Sequence, residues 1–210
     1  MSKELGPIEY LHYMGITCWQ ERSVAVSQTT LLQKLAKQVS TCEKCSLSKT
    51  RTQTVFSRGN PGASLMLIGE APGFYEDQQG KPFVGKAGKL LDAMLTSIGL
   101  QENDVYIANV LKCRPPDNRE PAPEEILACR DYLEQQIVCV APKLILALGQ
   151  FAGQFLLGKS SSLDSLRLMK HRYQQIPFFV TYHPAYLLRN PADKKYVYQD
   201  LLLVKNALNE

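Results

Sequence analysis

The sequence predicts an α/β fold in which helices cover both faces of a mostly parallel sheet. Four short apolar segments have the length and composition of buried strands, and segments with apolar residues at helical spacing separate them. Strands that alternate with helices are typical of the crossover units of parallel sheets. The 210 residues, 45% of them hydrophobic, are enough for one globular domain with its own core.

The elements follow one another in a simple order. A first helix is expected where TTLLQKLAKQV places apolar residues on one face, with Thr29 or Thr30 as its cap. The four strands are expected at SLMLIG (64–69), DVYIANVLK (104–112), KLILALG (143–149) and IPFFVTY (176–182). Helical patterns lie between and after them at 88–100, 123–138, 151–157 and 191–208.

The charge and the apolar runs narrow the classes of partner. A net charge of +4 and a pI near 8.7 permit a nucleic-acid partner without requiring one. The longest apolar runs, such as 144–148, are too short to span a bilayer, and the N-terminus has no secretory signal pattern. We therefore expect a cytoplasmic protein that has no membrane partner.

Polar residues stand at or near the ends of the predicted strands. The first strand runs into GEAPGFYED, the second contains Asn109, the third runs into LGQ, and the fourth runs into YHPAY with His183. The carboxyl ends of parallel strands lie at the same edge of a sheet, where ligands bind. A glycine-rich acidic loop, an amide and a histidine are thus expected to share one crevice.

The cysteine spacing indicates a metal site. Cys42 and Cys45 form a C-x2-C pair, which lets two thiolates reach one metal centre from a tight turn. Cys113 and Cys129 bracket a proline-rich, charged segment and are the natural second pair. Unrelated buried thiols are the alternative. The spacing by itself leaves zinc and an iron–sulfur cluster both open.

Three long motifs, in order, carry a resemblance. GEAPGFYEDQQGKPFVGKAGKLLDAML, YIANVLKCRPPDNREPAPEE and TYHPAYLLRNP resemble the family 4 uracil-DNA glycosylases, from about residue 30 to the C-terminus. The resemblance implies a three-layer α/β/α fold around a short, mostly parallel four-stranded sheet. It also implies hydrolysis of the N-glycosidic bond of flipped-out deoxyuridine in DNA, which yields uracil and an abasic site in base excision repair.

The same resemblance implies a cofactor and a type of enzyme. In this family the cysteines that match Cys42, Cys45, Cys113 and Cys129 hold a [4Fe–4S] cluster, whose role is expected to be structural. A monofunctional glycosylase is expected because no lysine stands at an obvious nucleophile position, although a Schiff-base lysine is the alternative. A zinc protein of similar outline is a further alternative.

The motifs also imply residue roles. Asn109 would read the edge of uracil, since an amide both accepts and donates, although asparagine also ends strands and caps turns. Phe83 would stack on the base, although without the resemblance it is expected in the core. His183 would stabilise negative charge on the uracil oxygen, although a lone histidine is often structural.

The acidic partner is less well defined. Glu70, and after it Glu76, could position water and stabilise the cationic sugar, or could merely accept hydrogen bonds from loop amides. Classical uracil-DNA glycosylases have an aspartate in the first motif where this chain has Ala71, so the water-positioning residue stays open. The loop backbone at Gly69, Ala71 and Gly73 is also expected to contact the substrate.

Contacts with DNA outside the base pocket are expected at basic residues of the first and third motifs. Lys86 and Arg189 could contact phosphates, although either side chain could simply face water. Leu187, which is four residues beyond His183, resembles the wedge that fills the gap left by a flipped base. An ordinary buried leucine is the alternative.

The resemblance to the glycosylases is confined to a predicted domain at residues 28–210. The leader, residues 1–27, lies outside it. Its stretch EYLHYMGITCWQER resembles the N-terminal peptide of the bacterial DNA polymerase III psi subunit, which docks on the clamp loader, so a bacterial protein acting at the nucleoid is expected. The alternative for the leader is a hydrophobic strap that packs on the protein's own core. The alternative for the whole protein is a non-catalytic DNA-binding or clamp-loader adaptor that keeps the glycosylase fold. The partner-binding residues are expected to be Met14, Ile16, Trp19 and Arg22.

Overall fold

A mixed sheet forms the centre of the protein. The structure is a computed structural model that describes Met14 and residues 27–209. The strands are β1 (Arg58–Gly59), β2 (Leu65–Gly69), β3 (Val105–Asn109), β4 (Leu144–Leu148), β5 (His171–Tyr173) and β6 (Ile176–Thr181). They pair in the order β1-β3-β2-β4-β6-β5 within this part of the chain.

Helices connect the strands. They are α1 (Gln28–Ser40), α2 (Phe74–Gln79), α3 (Lys86–Ser97), α4 (Pro123–Val140), α5 (Gln150–Leu157), α6 (Leu163–Leu166), α7 (Pro184–Arg189) and α8 (Lys194–Leu208). Short 3-10 turns lie at Ser46–Lys49, Glu102–Asp104, Pro116–Asn118 and Pro191–Asp193. Among the described residues, every helix is too short or too polar to span a lipid bilayer.

The core consists of two apolar layers, one on each face of the sheet. Side chains of successive strand residues point to opposite faces, so every central strand contributes to both layers. One layer contains Met66 and Ile68 of β2 and packs against α1, α4 and α5. The other contains Leu65 and Leu67 and packs against α3, α7 and α8. The expected three-layer α/β/α architecture is therefore confirmed.

The four predicted strands are confirmed as β2, β3, β4 and β6, which are mutually parallel. The structure adds β1 and β5, two short antiparallel strands at the edges of the sheet. They have two and three residues and are only half-buried or exposed, so no apolar run in the sequence marks them.

The strand register assembles one edge of the sheet. Gly69, the last residue of β2, lies opposite Asn109, the last residue of β3. The backbone N–H of Gly149, just after β4, donates to the carbonyl of Thr181 at the end of β6 at 2.8 Å. The carboxyl ends of all four parallel strands thus meet, as the sequence pattern predicts.

Candidate active site

A cleft of about 480 Å³ opens at the carboxyl ends of the parallel strands. Its walls come from the loop after β2, the end of β3, the segment before α4, and the start of α7. Among the residues proposed from the sequence, those that line the cleft are Glu70, Ala71, Gly73, Glu76, Phe83, Asn109, His183 and Arg189.

Asn109 supplies the polar floor of the cleft. Its side chain is only 2% exposed, and Oδ1 has no hydrogen-bond partner among the described residues. A buried acceptor without a partner carries a free-energy cost, which a ligand's N–H group would remove. The close approach of Asn109 depends on Gly69, because a Cβ at position 69 would lie 2.4 Å from Oδ1.

Phe83 forms an apolar wall beside this amide. Its backbone has φ +56°, a left-handed conformation that is uncommon for a bulky residue and is often found at functional sites. Gly88 permits this turn, since a Cβ there would lie 1.7 Å from the carbonyl oxygen of Phe83. The ring lies 5.7 Å from the ring of His183, centroid to centroid. A planar ligand would meet this wall while it reaches Asn109.

His183 is held in one orientation at the start of α7. Its Nδ1 accepts a hydrogen bond from the backbone N–H of Ala185 at 3.1 Å, so a neutral ring carries its proton on Nε2. Burial lowers the pKa of His183 to about 4; the charge of Arg189 adds to this shift, and Glu76 opposes it. The imidazole is therefore a neutral hydrogen-bond donor at physiological pH.

The two candidate carboxylates have different surroundings. Glu76 Oε1 accepts from the backbone N–H groups of Val84 and Gly85 at 2.9 and 3.0 Å, which anchors the loop of Phe83, just before α3, to a side chain of α2. Glu70 has no hydrogen bond to its carboxylate within the described chain. Burial raises its pKa, and the nearby Glu120 adds to that rise. Glu70 is thus the carboxylate left free to contact a ligand.

The four predicted metal ligands meet at a second, smaller cavity. Cys42, Cys45, Cys113 and Cys129 all line it, although they come from distant parts of the chain. Arg51 Nη1 donates to the sulfur of Cys113 at 3.3 Å. Burial raises the pKa of Cys113 to about 11, and Arg51 opposes that rise. The described residues include no group of three or more His, Cys, Asp or Glu arranged around a single metal ion.

Comparison with known proteins identifies the family. The sequence profile of the Uracil DNA glycosylase superfamily matches residues 56–203. The type-4 uracil-DNA glycosylase of Sulfurisphaera tokodaii is 42% identical over 183 residues, which are 83% of this chain and 83% of that protein. The chain belongs to the uracil DNA glycosylase superfamily. The type-4 enzyme of Thermotoga maritima is 39% identical over 187 residues, 86% of this chain and 96% of that protein.

A more distant branch of the uracil DNA glycosylase superfamily matches less of the chain. The type-5 uracil-DNA glycosylase of Thermus thermophilus is 30% identical over 128 residues, 54% of this chain and 58% of that protein. The type-4 members thus share more of this chain, in agreement with the resemblance seen in the three motifs.

The residues expected to contact DNA outside the pocket differ in accessibility. Lys86 and Arg189 are exposed, and Arg189 also borders the cleft. Leu187 is 0% exposed and packs in the core layer with α3 and α8, which corresponds to the ordinary buried leucine. The wedge expected at Leu187 is therefore not accessible in this structure, because this face of α7 is turned towards the sheet. The adjacent Leu188 is 43% exposed.

The proposed docking residues lie almost entirely outside the described residues. Ile16, Trp19 and Arg22 belong to that part of the leader, and Met14 is described, with an exposed side chain. Docking of the leader on a partner therefore stays a prediction.

Lys112 is a buried residue next to Asn109 that was not among the site residues predicted from the sequence of this uracil DNA glycosylase superfamily member. The side chain is 1% exposed, and its ammonium donates to the carbonyl of Asn109 at 2.6 Å. Burial lowers the pKa of Lys112 to about 7, and the sulfurs of Cys129 and Cys113 oppose this shift. The signal was present as a lysine within the apolar run NVLKC, directly before a proposed ligand.

Proposed function

We propose that this protein is a monofunctional uracil-DNA glycosylase. It hydrolyses the N-glycosidic bond of deoxyuridine in DNA, which releases free uracil and leaves an abasic site. The buried Oδ1 of Asn109, without a partner within the described residues, is the observation that carries the proposal. Membership of the uracil DNA glycosylase superfamily and the type-4 relatives support the same activity.

Recognition begins after the deoxyuridine has left the base stack. The flipped base lies against Phe83, and the N3–H of uracil donates to Oδ1 of Asn109. The amide N–H of Asn109 is then available to donate to O4. Cytosine has no N–H at N3, so it leaves Oδ1 unpaired, and such a mismatch strongly reduces affinity.

Bond cleavage separates charge. The electrons of the breaking C1′–N1 bond move to uracil, while positive charge develops on the sugar. His183 donates a hydrogen bond from Nε2–H to the uracil oxygen O2 as that oxygen becomes negative. The imidazole is already neutral at physiological pH, so it acts as a donor without a change of protonation state. Glu70 stabilises the cationic sugar, positions the water that adds to C1′ and accepts the proton that this water loses, while uracil leaves with the electron pair of the broken bond. Glu76 supports the site indirectly, through the loop that holds Phe83.

The cysteine cavity is proposed to hold a [4Fe–4S] cluster on Cys42, Cys45, Cys113 and Cys129. When bound, the cluster supplies a structural cross-link and no redox step. Four thiols border one cavity, and Arg51 and Lys112 provide positive charge beside them, which suits an anionic group. Iron and acid-labile sulfide analysis with a visible spectrum tests this assignment, and zinc in place of iron would overturn it.

Base release is the decisive experiment. Anaerobically purified protein is incubated with a uracil-containing oligonucleotide, and alkali-sensitive abasic sites are scored for the parent, Asn109→Ala and His183→Ala. We expect cleavage by the parent and losses of about 100-fold or more in both variants. Exposed Asn206→Ala serves as the control that retains activity. Absence of cleavage by folded, cluster-loaded parent would leave the adaptor function as the better account.

The leader, residues 1–27, is proposed to tether the glycosylase domain, 28–210, to the DNA polymerase III clamp loader in the bacterial cytoplasm. The support is the resemblance to the psi-subunit peptide and the 59% exposure of Met14. A pull-down of purified clamp loader by the full chain tests it. Trp19→Ala should abolish capture and leave uracil release unchanged, whereas equal capture by both proteins would refute the tether.

A further inference from the structure

Lys112 is a buried cation placed between the cleft and the cysteine cavity. Its ammonium donates to the carbonyl of Asn109 at 2.6 Å and to the side-chain oxygen of Gln136. Gln136 is fixed in turn, because its Nε2 donates to the hydroxyl of Tyr106 at 3.0 Å and to the carbonyl of Phe56 at 3.1 Å. The acceptors around the ammonium are therefore held by the sheet and by α4.

The same residue also contacts the cysteine cavity. Lys112 lines the cavity together with Cys113 and Cys129, and it directly precedes Cys113 in the chain. Lys112 is thus the link between the proposed ligand set and the backbone of the proposed base reader.

This position leaves the ammonium without a carboxylate partner. A buried charge is costly unless it is paired and hydrogen-bonded. Within the described residues no carboxylate forms an ion pair with Lys112, and the groups around it are the two acceptor oxygens and the cysteines of the adjoining cavity. The position of the ammonium therefore depends on these two hydrogen bonds and on packing at the cysteine site.

We propose that Lys112 is a positioning residue for uracil recognition, which couples the cysteine site to Asn109. The inference rests on the proposed glycosylase function. The ammonium fixes the Asn109 carbonyl at the point where β3 ends. A fixed carbonyl fixes the adjoining backbone dihedral angles, and these set the direction in which the side-chain amide enters the cleft. Ordering of the cysteine site is thereby passed to base recognition through one side chain.

A double-mutant cycle tests this coupling. The variants are Lys112→Met, which removes the charge at similar length, Asn109→Ala, and the two combined. The measurements are the affinity for free uracil, kcat and KM on a uracil-containing oligonucleotide, and iron content. Loss of a hydrogen bond from a charged donor should weaken uracil binding by on the order of tenfold in Lys112→Met. The same change in the Asn109→Ala background should have little further effect.

Leu156→Ala is the matched control for destabilisation, because Leu156 is buried in α5 away from the cleft. It should lower the melting temperature without changing the uracil affinity. If Lys112→Met does not fold, Gln136→Met takes its place. This variant keeps the ammonium and all four cysteines but removes one anchor, and it should weaken uracil binding by about threefold, again only when Asn109 is present.

The outcomes separate the two proposals. Two results would overturn the coupling while the proposed glycosylase function stands. One is an equal loss of uracil affinity from Lys112→Met in the parent and in the Asn109→Ala background. The other is an unchanged uracil affinity in Lys112→Met when the parent is active. A cluster-loaded parent that neither binds nor releases uracil would overturn the proposed function itself. A loss that disappears in the Asn109→Ala background supports the positioning role.

Discussion

The backbone N–H of Ala185 donates to Nδ1 of His183 at 3.1 Å, where α7 begins. This hydrogen bond determines the tautomer, because a ring nitrogen that accepts cannot carry the proton. The N–H of the neutral ring is therefore Nε2. The arrangement provides a neutral donor in the cleft.

The low pKa of His183 makes folding stability depend on pH. The ordinary value is 6.5 and the folded value is about 4, so the unfolded chain binds the proton more readily between these limits. Stability is fully present above pH 6.5 and falls as pH decreases towards 4, by about 3 kcal/mol from this ring. Urea unfolding of the parent and of His183→Gln over pH 4–7 measures the difference. Identical pH profiles would contradict the shifted pKa.

Gly69→Ala should disable the cleft by steric displacement. The added Cβ would lie 2.4 Å from Oδ1 of Asn109 and 2.6 Å from Cζ of Phe83. A shift of about 1 Å in either group should reduce kcat/KM by about 100-fold. Gly62→Ala is the matched control, since its Cβ would meet only Oδ1 of Asn60 at 3.6 Å. Full activity of Gly69→Ala would show that these groups move freely.

Asn109→Leu should separate activity from stability. The variant cannot pair with uracil, so kcat/KM should fall by about 1000-fold. It also removes an acceptor that is buried without a partner within the described residues, so the free energy of unfolding should stay constant or rise by about 1 kcal/mol. Chemical denaturation and the abasic-site assay measure the two effects. A fall in stability of several kcal/mol would indicate that the amide is satisfied in the free protein.

Glu70→Gln should lower kcat by about 100-fold if this carboxylate positions the water. Burial and Glu120 raise the pKa of Glu70, so the active carboxylate form is lost as pH falls through a value above its ordinary 4.5. Glu120→Gln should therefore shift the acidic limb of the kcat profile to lower pH. Because the folded state penalises the charged form, Glu70→Gln should also be more stable at neutral pH. If the acidic limb of the kcat profile stays at the same pH in Glu120→Gln, that limb reports the titration of a group other than Glu70.

Glu76→Ala should act first on stability. The carboxylate accepts hydrogen bonds from the N–H groups of Val84 and Gly85, and its removal should cost about 2 kcal/mol. Activity should fall as well, because the loop carries Phe83. Glu76→Gln, which keeps an acceptor oxygen, should recover most of both. Failure of this rescue would point to a direct role of the charge.

The fold followed from patterns that are local in the sequence. Apolar runs of strand length, separated by helical periodicity, predict the parallel strands β2, β3, β4 and β6 and their order along the chain. The edge strands β1 and β5 were not predicted, because runs of only two and three residues, half-buried or exposed, are too short to show an alternating pattern of apolar side chains.

By itself, the sequence determined the four parallel strands, the edge of the sheet where Asn109 and His183 meet, and the spacing of four cysteines that could share one site. These depend on alternation, strand ends and residue type, which are all encoded locally. Only the tertiary structure decided that Leu187 is buried, that Glu76 anchors a loop, and that Lys112 joins Asn109 to the cysteine cavity. The direction of a side chain and the partner of a buried charge depend on groups that are distant in the chain, and packing alone brings those groups together.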